Sequence, residues 1–226
     1  MRNPAVPPPS TRRLEWLLAA VALLCLGLWS WAQIDASAYN IVQNWRLDGL
    51  LAKRALLRSR PSSVRTAVAT RDEAAASGLV GRIDIPRLGI HVTVSEGIDS
   101  RTLRRALGHV PKTAFPGEPG NVVIAGHRDS WFGRLREARP GDRVCITTPD
   151  GVFEYRVDSR DVVQPERTEV MAPTNTPTLT LITCYPFHYL GPAPERFVVR
   201  ARQVPESDED SGTKDRCNAP ASTPAG

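Results

Sequence analysis

The sequence predicts a mainly β protein, in which a small closed barrel follows one apolar helix near the amino terminus. Three observations support this fold class. The second half of the chain contains several short alternating or apolar segments, and 20 prolines and 16 glycines punctuate the sequence. Helical periodicity outside the first 60 residues is sparse, which favours a barrel over a layered α/β fold. With 226 residues, the chain can hold one moderate domain plus appendages.

The first element is an almost wholly apolar run over residues 16–32. As a helix it is about 26 Å long, which is enough to cross a hydrocarbon core. Arginines at positions 2, 12 and 13 precede it, so the amino terminus is expected to stay in the cytoplasm. We therefore predict a cytoplasmic stub over 1–13, a single-pass membrane anchor over 14–34, and an extracytoplasmic remainder.

Two other readings of the apolar run stay open. Ser30-Trp31-Ala32 resembles a signal-peptide cleavage site, so the segment could be removed. A buried soluble helix is the third reading, but the run lacks a polar face. Tryptophans at its two ends are typical of membrane interfaces and favour a retained anchor: Trp16, Trp29 and Trp31.

Residues 35–77 are predicted to form a juxtamembrane helix and a linker. Ile41, Trp45 and Leu47 begin an apolar pattern near helical spacing that continues through further leucines. This helix could lie on the membrane surface, pack against the domain, or prolong the anchor. From residue 61 the composition turns to Ser, Arg, Ala and Thr, which suggests a tether.

The domain is predicted over 78–204. Asp150-Gly151 is a hairpin turn signal, and a short helix over Ser100–Leu107 is expected with Asp99 or Ser100 as its cap. The tail over 205–226 has few residues worth burying and is predicted to be disordered. Seven strands are predicted from alternation or short apolar runs: Leu79–Ile85, Ile90–Val94, Asn121–Ala125, Arg143–Thr148, Val152–Ser159, Thr178–Cys184 and Arg196–Val204.

Cysteine usage and charge narrow the function classes. Three of the four cysteines would be exported, so at least one is expected to stay unpaired or to pair between molecules. This density is too low for a domain stapled by disulfides, so the barrel is expected to fold on its own core, with Cys145 structural. The net charge of +5 suits an anionic membrane surface or cell-wall polymer. Nucleic acid is not expected as a partner, because no basic run is interleaved with aromatic residues.

Three residues have the chemistry of an acyl-transfer site. Cys184 ends the strand segment Thr-Leu-Ile-Thr-Cys, where a thiol can meet solvent. His127 follows another strand and a glycine, and an imidazole there can exchange protons with an amine. Arg196 carries a permanent positive charge and can donate to an oxyanion. Arg200 and Arg202 share the strand face of Arg196, so alternation alone does not choose among the three arginines.

Four ordered motifs resemble the sortases, the membrane-anchored cysteine transpeptidases, and look most like class D. They are Ile-Pro-Arg-Leu-Gly-Ile over 85–90, Asn-Val-Val-Ile-Ala-Gly-His-Arg-Asp over 121–129, Thr-Leu-Ile-Thr-Cys over 180–184, and Pro-Glu-Arg-Phe-Val-Val over 194–199. The resemblance implies an eight-stranded sortase barrel, with Cys184, His127 and Arg196 as the catalytic set. It also implies cleavage of a Leu-Pro-x-Thr-Gly-like sorting signal after the Thr, through a thioester, and transfer to an amine. The expected partners are secreted proteins with a carboxyl-terminal sorting signal and an amine acceptor on cell wall or pilin.

Neighbouring residues are assigned supporting roles. Three residues next to the predicted nucleophile and histidine are expected to contact the substrate: Thr183, Ala125 and Tyr185. Thr183 could equally be present only because threonine favours β-strands. Asp129 could orient His127, or could simply hydrogen-bond it as a loop residue. His188 could form a wall of the cleft, and the loop over Val163–Thr176 is expected to select the variable positions of the substrate.

No cofactor is predicted, because His, Cys and Asp do not cluster with metal-ligand spacing. Some sortases use calcium, and four acidic residues could be recruited for it, although solvated loop charges are the simpler reading: Glu118, Asp161, Glu166 and Glu169. Two other functions compete with a sortase activity. An L,D-transpeptidase-like peptidoglycan cross-linker would carry its arginine two residues after the thiol, whereas here Arg196 follows Cys184 by 12 positions (196 − 184). A non-catalytic peptide-binding barrel would leave Cys184 unreactive.

Overall fold

The computed structural model describes residues 9–58, 78–189, 191–205 and Cys217; the side chains of 9–13, 32 and 55–58 lie outside this description. The chain divides into two compact units, Met1–Tyr39 and Asn40–Gly226. The predicted stub before residue 9, the predicted tether over 61–77 and most of the predicted tail lie outside the described residues.

The first helix, α1, spans Pro9–Arg58 and contains both the predicted anchor and the predicted juxtamembrane helix. Over residues 14–31 its side chains are exposed, including Trp16, Trp29 and Trp31. Over Leu14–Arg54 the helix is long and apolar enough to cross a membrane by length and composition.

Within the second unit, the carboxyl-terminal part of α1 packs against the barrel. Leu47 is fully buried, and Gln43 and Leu50 are nearly so. The side chain of Asn40 donates to the Arg105 carbonyl at 2.6 Å and accepts from the Thr93 N–H at 3.1 Å. The sequence left three locations open for this juxtamembrane helix. The structure shows that it packs against the barrel, and that it belongs to the same helix as the preceding apolar run.

Eight strands form a closed barrel, as the resemblance implied. One short helix, α2, spans Ser100–Arg105, and Asp99 caps it by accepting from the Arg101 and Thr102 N–H groups. The strands are β1 Leu79–Ile85, β2 Ile90–Glu96, β3 Leu107–His109, β4 Asn121–Ala125, β5 Arg143–Thr148, β6 Gly151–Val163, β7 Thr178–Tyr185 and β8 Glu195–Gln203. Short 3-10 helices lie at Pro86–Leu88, Gly133–Glu137 and Thr168–Met171.

Around the barrel the strands follow the order β1-β2-β3-β4-β7-β8-β6-β5, and β5 closes onto β1. Two neighbouring pairs are parallel, β2 with β3 and β4 with β7. The other pairs are antiparallel. The β4–β7 pair matters for function, because the carboxyl ends of parallel neighbours lie at the same edge of a sheet.

Alternate residues of these strands fill the barrel interior. Ile124, Leu181 and Val199 contribute to one continuous core and are fully buried. His109 is also fully buried, with Nδ1 at 2.6 Å from a Glu96 carboxylate oxygen and Nε2 at 3.0 Å from the Ala114 carbonyl. Both nitrogens of its ring thus have hydrogen-bond partners within the barrel.

A disulfide joins Cys145 of β5 to Cys217 across 72 residues of sequence. The sequence analysis did not predict this bond, although it expected Cys145 to be structural; its partner Cys217 is buried. Low cysteine density excludes a densely stapled scaffold, but it does not exclude a single bond between a strand and a distant segment. Cys25 and Cys184 remain free thiols, in agreement with the expected unpaired cysteine.

Candidate active site

Cys184 lies near the carboxyl end of β7, where the strand emerges from the core. The first four residues of the strand are buried on both faces, whereas Ile182 and Cys184 are half-buried. The thiol is not part of a disulfide. Cys184 is therefore a free, partly accessible thiol at a strand end, as the sequence predicted.

Arg196 is the arginine that faces Cys184. The two residues are direct partners in the antiparallel β7–β8 register. Opposed residues in such a pair project to the same face, with Cβ atoms about 4.5–5.5 Å apart. The Arg196 guanidinium donates to two nearby carbonyls, of Ala193 at 3.2 Å and Glu195 at 2.9 Å.

The other two arginines that alternation could not exclude lie further along β8. Arg200 opposes Thr180, and Arg202 opposes Thr178. Arg202 also forms a bidentate ion pair with Asp158. Register, which the sequence alone did not give, therefore selects Arg196 as the arginine beside the thiol.

His127 lies two residues beyond the end of β4. In the parallel β4–β7 pair, the last paired residues are Ala125 and Ile182, two positions before His127 and Cys184 respectively. The Gly126 N–H extends the ladder by bonding the Ile182 carbonyl at 3.1 Å. Among the described residues, the His127 ring has no hydrogen bond or ion pair, so the contact with Asp129 that the sequence allowed is not found.

Glycine is required at position 126 by close packing. A Cβ there would lie 2.4 Å from a Leu107 side-chain carbon and 2.9 Å from the Phe132 ring. The structure thus gives a steric reason for a glycine directly before His127. Phe132 is fully buried, and its N–H bonds the His127 carbonyl at 3.1 Å, which fixes the loop that carries the imidazole.

Cys184 and Arg196 belong to the outer face of the barrel. Ile124, Leu181 and Val199 pair across β4, β7 and β8 and point into the core. A step of three residues leads from Leu181 to Cys184 within β7 and from Val199 to Arg196 within β8. Since side chains alternate along a strand, an odd step changes the face. His127 lies two residues beyond the end of β4. Ala125, predicted to contact substrate, shares this outer face and is half-buried.

Thr183 and Tyr185 lie on the opposite, inner face of β7. The Thr183 hydroxyl is nearly inaccessible and donates to the Gly126 carbonyl at 2.8 Å. The Tyr185 ring packs on the core, stacked with Phe197 at a centroid distance of 6.3 Å. The structure thus does not bring these two predicted substrate contacts to the face of Cys184, and their observed contacts support the strand end.

The connection between β6 and β7 covers part of the same outer face. The Asn121 side chain donates to the Val170 and Ala172 carbonyls, both at 3.1 Å, and accepts from the Thr180 hydroxyl at 2.7 Å. This buried network attaches the 3-10 helix Thr168–Met171 to β4 and β7. The sequence analysis missed Asn121, because a single asparagine at a strand start gives no signal of such a distant partner.

On the other side of Cys184, the loop between β7 and β8 contacts the segment after His127. Arg128 donates to the carbonyls of Tyr189 and Gly191. His188, predicted as a possible cleft wall, is exposed and lies 3.2 Å from Arg136. The outer face around the thiol is therefore bordered by two connections, one after β6 and one after β7.

The residues suggested for calcium do not form a shared cluster. Glu118 accepts from the Phe115 N–H at 3.0 Å, and Asp161 is near the Ser159 hydroxyl at 3.3 Å. Within the part of the chain that the structure describes, groups of three or more His, Cys, Asp or Glu with a metal-binding arrangement are not found.

Comparison with known proteins relates this geometry to one family. The family model for the sortase domain matches residues 83–204, which is more than half of the chain. Sortase D of Bacillus subtilis (strain 168) is 32% identical over 125 residues, covering 55% of this chain and 63% of that protein. Sortase SrtE1 of Streptomyces coelicolor is 30% identical over 152 residues, covering 59% of this chain and 42% of that protein. The chain thus spans less than two thirds of the length of each of these curated relatives.

Solved structures agree with the sequence comparison. The Clostridium perfringens Sortase D5 transpeptidase superposes with a TM-score of 0.60 at 28% sequence identity. The match covers 73% of this chain and 99% of that chain. The predicted likeness to class D is therefore confirmed by both sequence and fold.

Proposed function

Because the chain belongs to the sortase family of cysteine transpeptidases, we propose that Cys184, His127 and Arg196 cleave a peptide bond and transfer the new acyl group to an amine. The observation that supports this proposal is the pairing of β7 with its two neighbouring strands, β8 and β4. Arg196 is the direct β8 partner of Cys184, and β4, which His127 follows by two residues, is the parallel neighbour of β7 on the other side. One bound peptide on the outer face would meet all three groups.

In the first half-reaction the Cys184 thiolate attacks the carbonyl carbon of the scissile amide. The carbonyl electrons move to oxygen, and Arg196 donates hydrogen bonds to the resulting oxyanion. The intermediate collapses, the C–N bond breaks, and the His127 imidazolium gives its proton to the leaving amine. The products are a thioester on Cys184 and a free amine.

In the second half-reaction an incoming amine attacks the thioester carbonyl. Neutral His127 accepts a proton from the attacking nitrogen, and Arg196 again binds the oxyanion. The C–S bond then breaks, which regenerates the thiolate and the imidazolium. Electrons and protons balance over the two steps, and no cofactor is consumed.

The proposed donor substrate is a sorting signal of the Leu-Pro-x-Thr-Gly kind at the carboxyl end of a secreted protein, cut between Thr and Gly. The proposed acceptor is an amine of the cell wall or of a pilin subunit. The connection over 164–177 supports a role in selecting the variable positions, because Asn121 holds it against the face that carries Cys184.

The proposed location is the cell membrane, with the amino terminus in the cytoplasm and the barrel outside. Exposed apolar side chains of α1 and the length of the helix support a single-pass anchor. The arginines at positions 2, 12 and 13 support the orientation.

The test is transpeptidation of a fluorogenic sorting-signal peptide by the full chain in mild detergent, with a small amine as acceptor. We expect Cys184→Ala to abolish turnover, and Arg196→Ala to lower kcat by about 10²–10³ through loss of the oxyanion donor. Cys25→Ala is the matched control, because Cys25 is the other free thiol among the described cysteines and lies in α1. Turnover that survives Cys184→Ala would reject the proposal.

A further inference from the structure

The loop between β7 and β8 connects Cys184 to Arg196, and one side chain from the His127 segment fastens it. Nη2 of Arg128 donates to the Tyr189 carbonyl at 2.6 Å and to the Gly191 carbonyl at 3.1 Å. The guanidinium carbon also lies 5.8 Å from the centre of the Tyr189 ring. Arg128 therefore binds the loop through two backbone hydrogen bonds and one cation–π contact.

A second contact joins the same two parts of the chain. Nη1 of Arg136, on the 3-10 helix Gly133–Glu137, lies 3.2 Å from Nε2 of His188. This contact is exposed, and so are the two Arg128 bonds, but the Arg128 side chain as a whole is half-buried and its Nη1 atom is buried. Arg128 is the better-enclosed member of the pair, and it directly follows His127 in the chain.

We infer that Arg128 is a positioning residue, which holds the imidazole of His127 in register with the thiol of Cys184 by fastening the His127 segment to the β7–β8 loop. This inference rests on the proposed function. Beyond Gly126 the β4–β7 ladder ends, so backbone pairing no longer fixes the distance between the two strand ends. The hydrogen bonds of Arg128, the residue after His127, join the His127 segment to the β7–β8 loop instead.

The consequence for catalysis follows from geometry. A misplacement of about 1 Å between reacting groups can cost on the order of 100-fold in rate. Loss of Arg128 should thus affect the proton transfers by His127 more than peptide binding, which uses the outer faces of β4, β7 and β8. The expected signature is a fall in kcat with little change in KM.

The experiment compares Arg128→Gln, Arg128→Lys and the control Arg160→Gln in the full chain. Arg160 also donates to a backbone carbonyl, of Ala138 at 3.0 Å, but outside the two segments that carry His127 and the β7–β8 loop. We expect Arg128→Gln to lower kcat about 10- to 100-fold with KM within about twofold, Arg128→Lys to recover part of the loss, and Arg160→Gln to stay near wild type. Equal kcat for Arg128→Gln and wild type, or a loss confined to KM, would overturn the inference.

Hydrogen exchange followed by mass spectrometry provides a readout that needs no substrate. Arg128→Gln should raise amide exchange in the peptides covering 127–132 and 186–195, while Arg160→Gln should not. If wild type fails to turn over the peptide but these segments still loosen, the proposed function fails and the fastening contact stands. If wild type turns over and exchange is unchanged in Arg128→Gln, the inference fails by itself.

Discussion

At the scale of single residues, side-chain alternation separates the reacting thiol from the group that supports it. Cys184 projects to the outer face of β7, while the neighbouring hydroxyl of Thr183 turns inward and bonds the Gly126 carbonyl. The sequence indicated the nucleophile because a free cysteine at a strand end is chemically distinctive. It did not indicate the role of Thr183, because the partner of a hydroxyl depends on which strand lies beside it. Likewise, strand register separates Arg196 from Arg200 and Arg202, which alternation along the strand does not.

Thr183→Val tests this supporting bond at nearly constant volume. The variant leaves the buried Gly126 carbonyl without its donor, so we expect the free energy of unfolding to fall by about 1–3 kcal/mol. Because the bond joins the ends of β4 and β7, kcat should fall as well. Chemical denaturation and peptide turnover measure the two effects, and Thr183→Ser, which keeps the hydroxyl, should retain most of both. Wild-type kcat in Thr183→Val would show that the bond does not position the site.

Asp142 is a second residue with a testable role. Its carboxylate is nearly buried and accepts from Nη2 of Arg87 at 2.6 Å and from the Arg139 N–H at 2.7 Å. Burial by itself raises the pKa of this carboxyl, but the hydrogen bonds from Arg87 and Arg139 and their positive charge outweigh burial and hold the pKa below its ordinary value. A lowered pKa in the folded state means that the contribution to stability is present above the unfolded pKa, near 3.8, and is lost as the pH falls through the folded value.

We therefore expect Asp142→Asn to be less stable than wild type at neutral pH, by about 1–3 kcal/mol, since a neutral amide replaces a charged acceptor. The difference should shrink as the pH falls below about 4, because the carboxyl of the unfolded chain binds a proton there before the native carboxylate does. Denaturant unfolding between about pH 3 and pH 7 measures it. A difference that stays constant with pH would contradict the assigned ion pair.

At the scale of secondary structure, the longer strands were predicted from their sequence patterns, whereas the shortest strand was not. Seven strands show alternation or apolar runs long enough to detect, and their positions agree with the barrel. The strand β3 was missed, because Leu107-Gly108-His109 is too short to alternate and contains a glycine. Gly108 is required there, since a Cβ would lie 2.3 Å from the Gly97 carbonyl oxygen. The predicted short helix was therefore extended by two residues into what is the beginning of this strand.

The packing of α1 on the barrel is a prediction at this scale. Leu47 is fully buried although it belongs to a helix that begins far from the barrel in sequence. Leu47→Ala should lower the free energy of unfolding of the domain by about 2–5 kcal/mol through lost contacts and a cavity. Trp45→Ala is the control on the same helix, because the Trp45 side chain is 75% exposed and its loss should cost about 0.5 kcal/mol or less. Denaturation monitored by circular dichroism distinguishes the two, and equal effects would contradict the packing.

At the scale of the whole molecule, the family motifs predicted a closed eight-stranded barrel, and the chain forms one. The long-range disulfide was not predictable in the same way. Cys145 and Cys217 are far apart in sequence, and pairing depends on where the chain after β8 returns to the barrel. Charge and composition contain no information on this return.

The disulfide should stabilise the domain without taking part in catalysis. Closing a loop with a sequence separation of 72 residues lowers the entropy of the unfolded chain by an amount equivalent to about 4 kcal/mol. Cys217→Ser should lower the melting temperature, and a reducing agent should lower that of wild type but not that of the variant. Turnover below the melting temperature should stay near wild type, because β5 lies between β6 and β1 and does not carry a candidate catalytic residue. An unchanged melting temperature in Cys217→Ser would contradict the bond.

The central claim is that the sulfur of Cys184 forms a covalent bond with the substrate carbonyl. Mass spectrometry of the full chain, quenched in acid during turnover of a sorting-signal peptide and then digested, tests it directly. We expect the mass of the acyl fragment ending in Thr on the digest peptide that contains Cys184, removable by hydroxylamine and missing from Cys184→Ala. An adduct on another residue, or normal turnover by Cys184→Ala, would contradict the account.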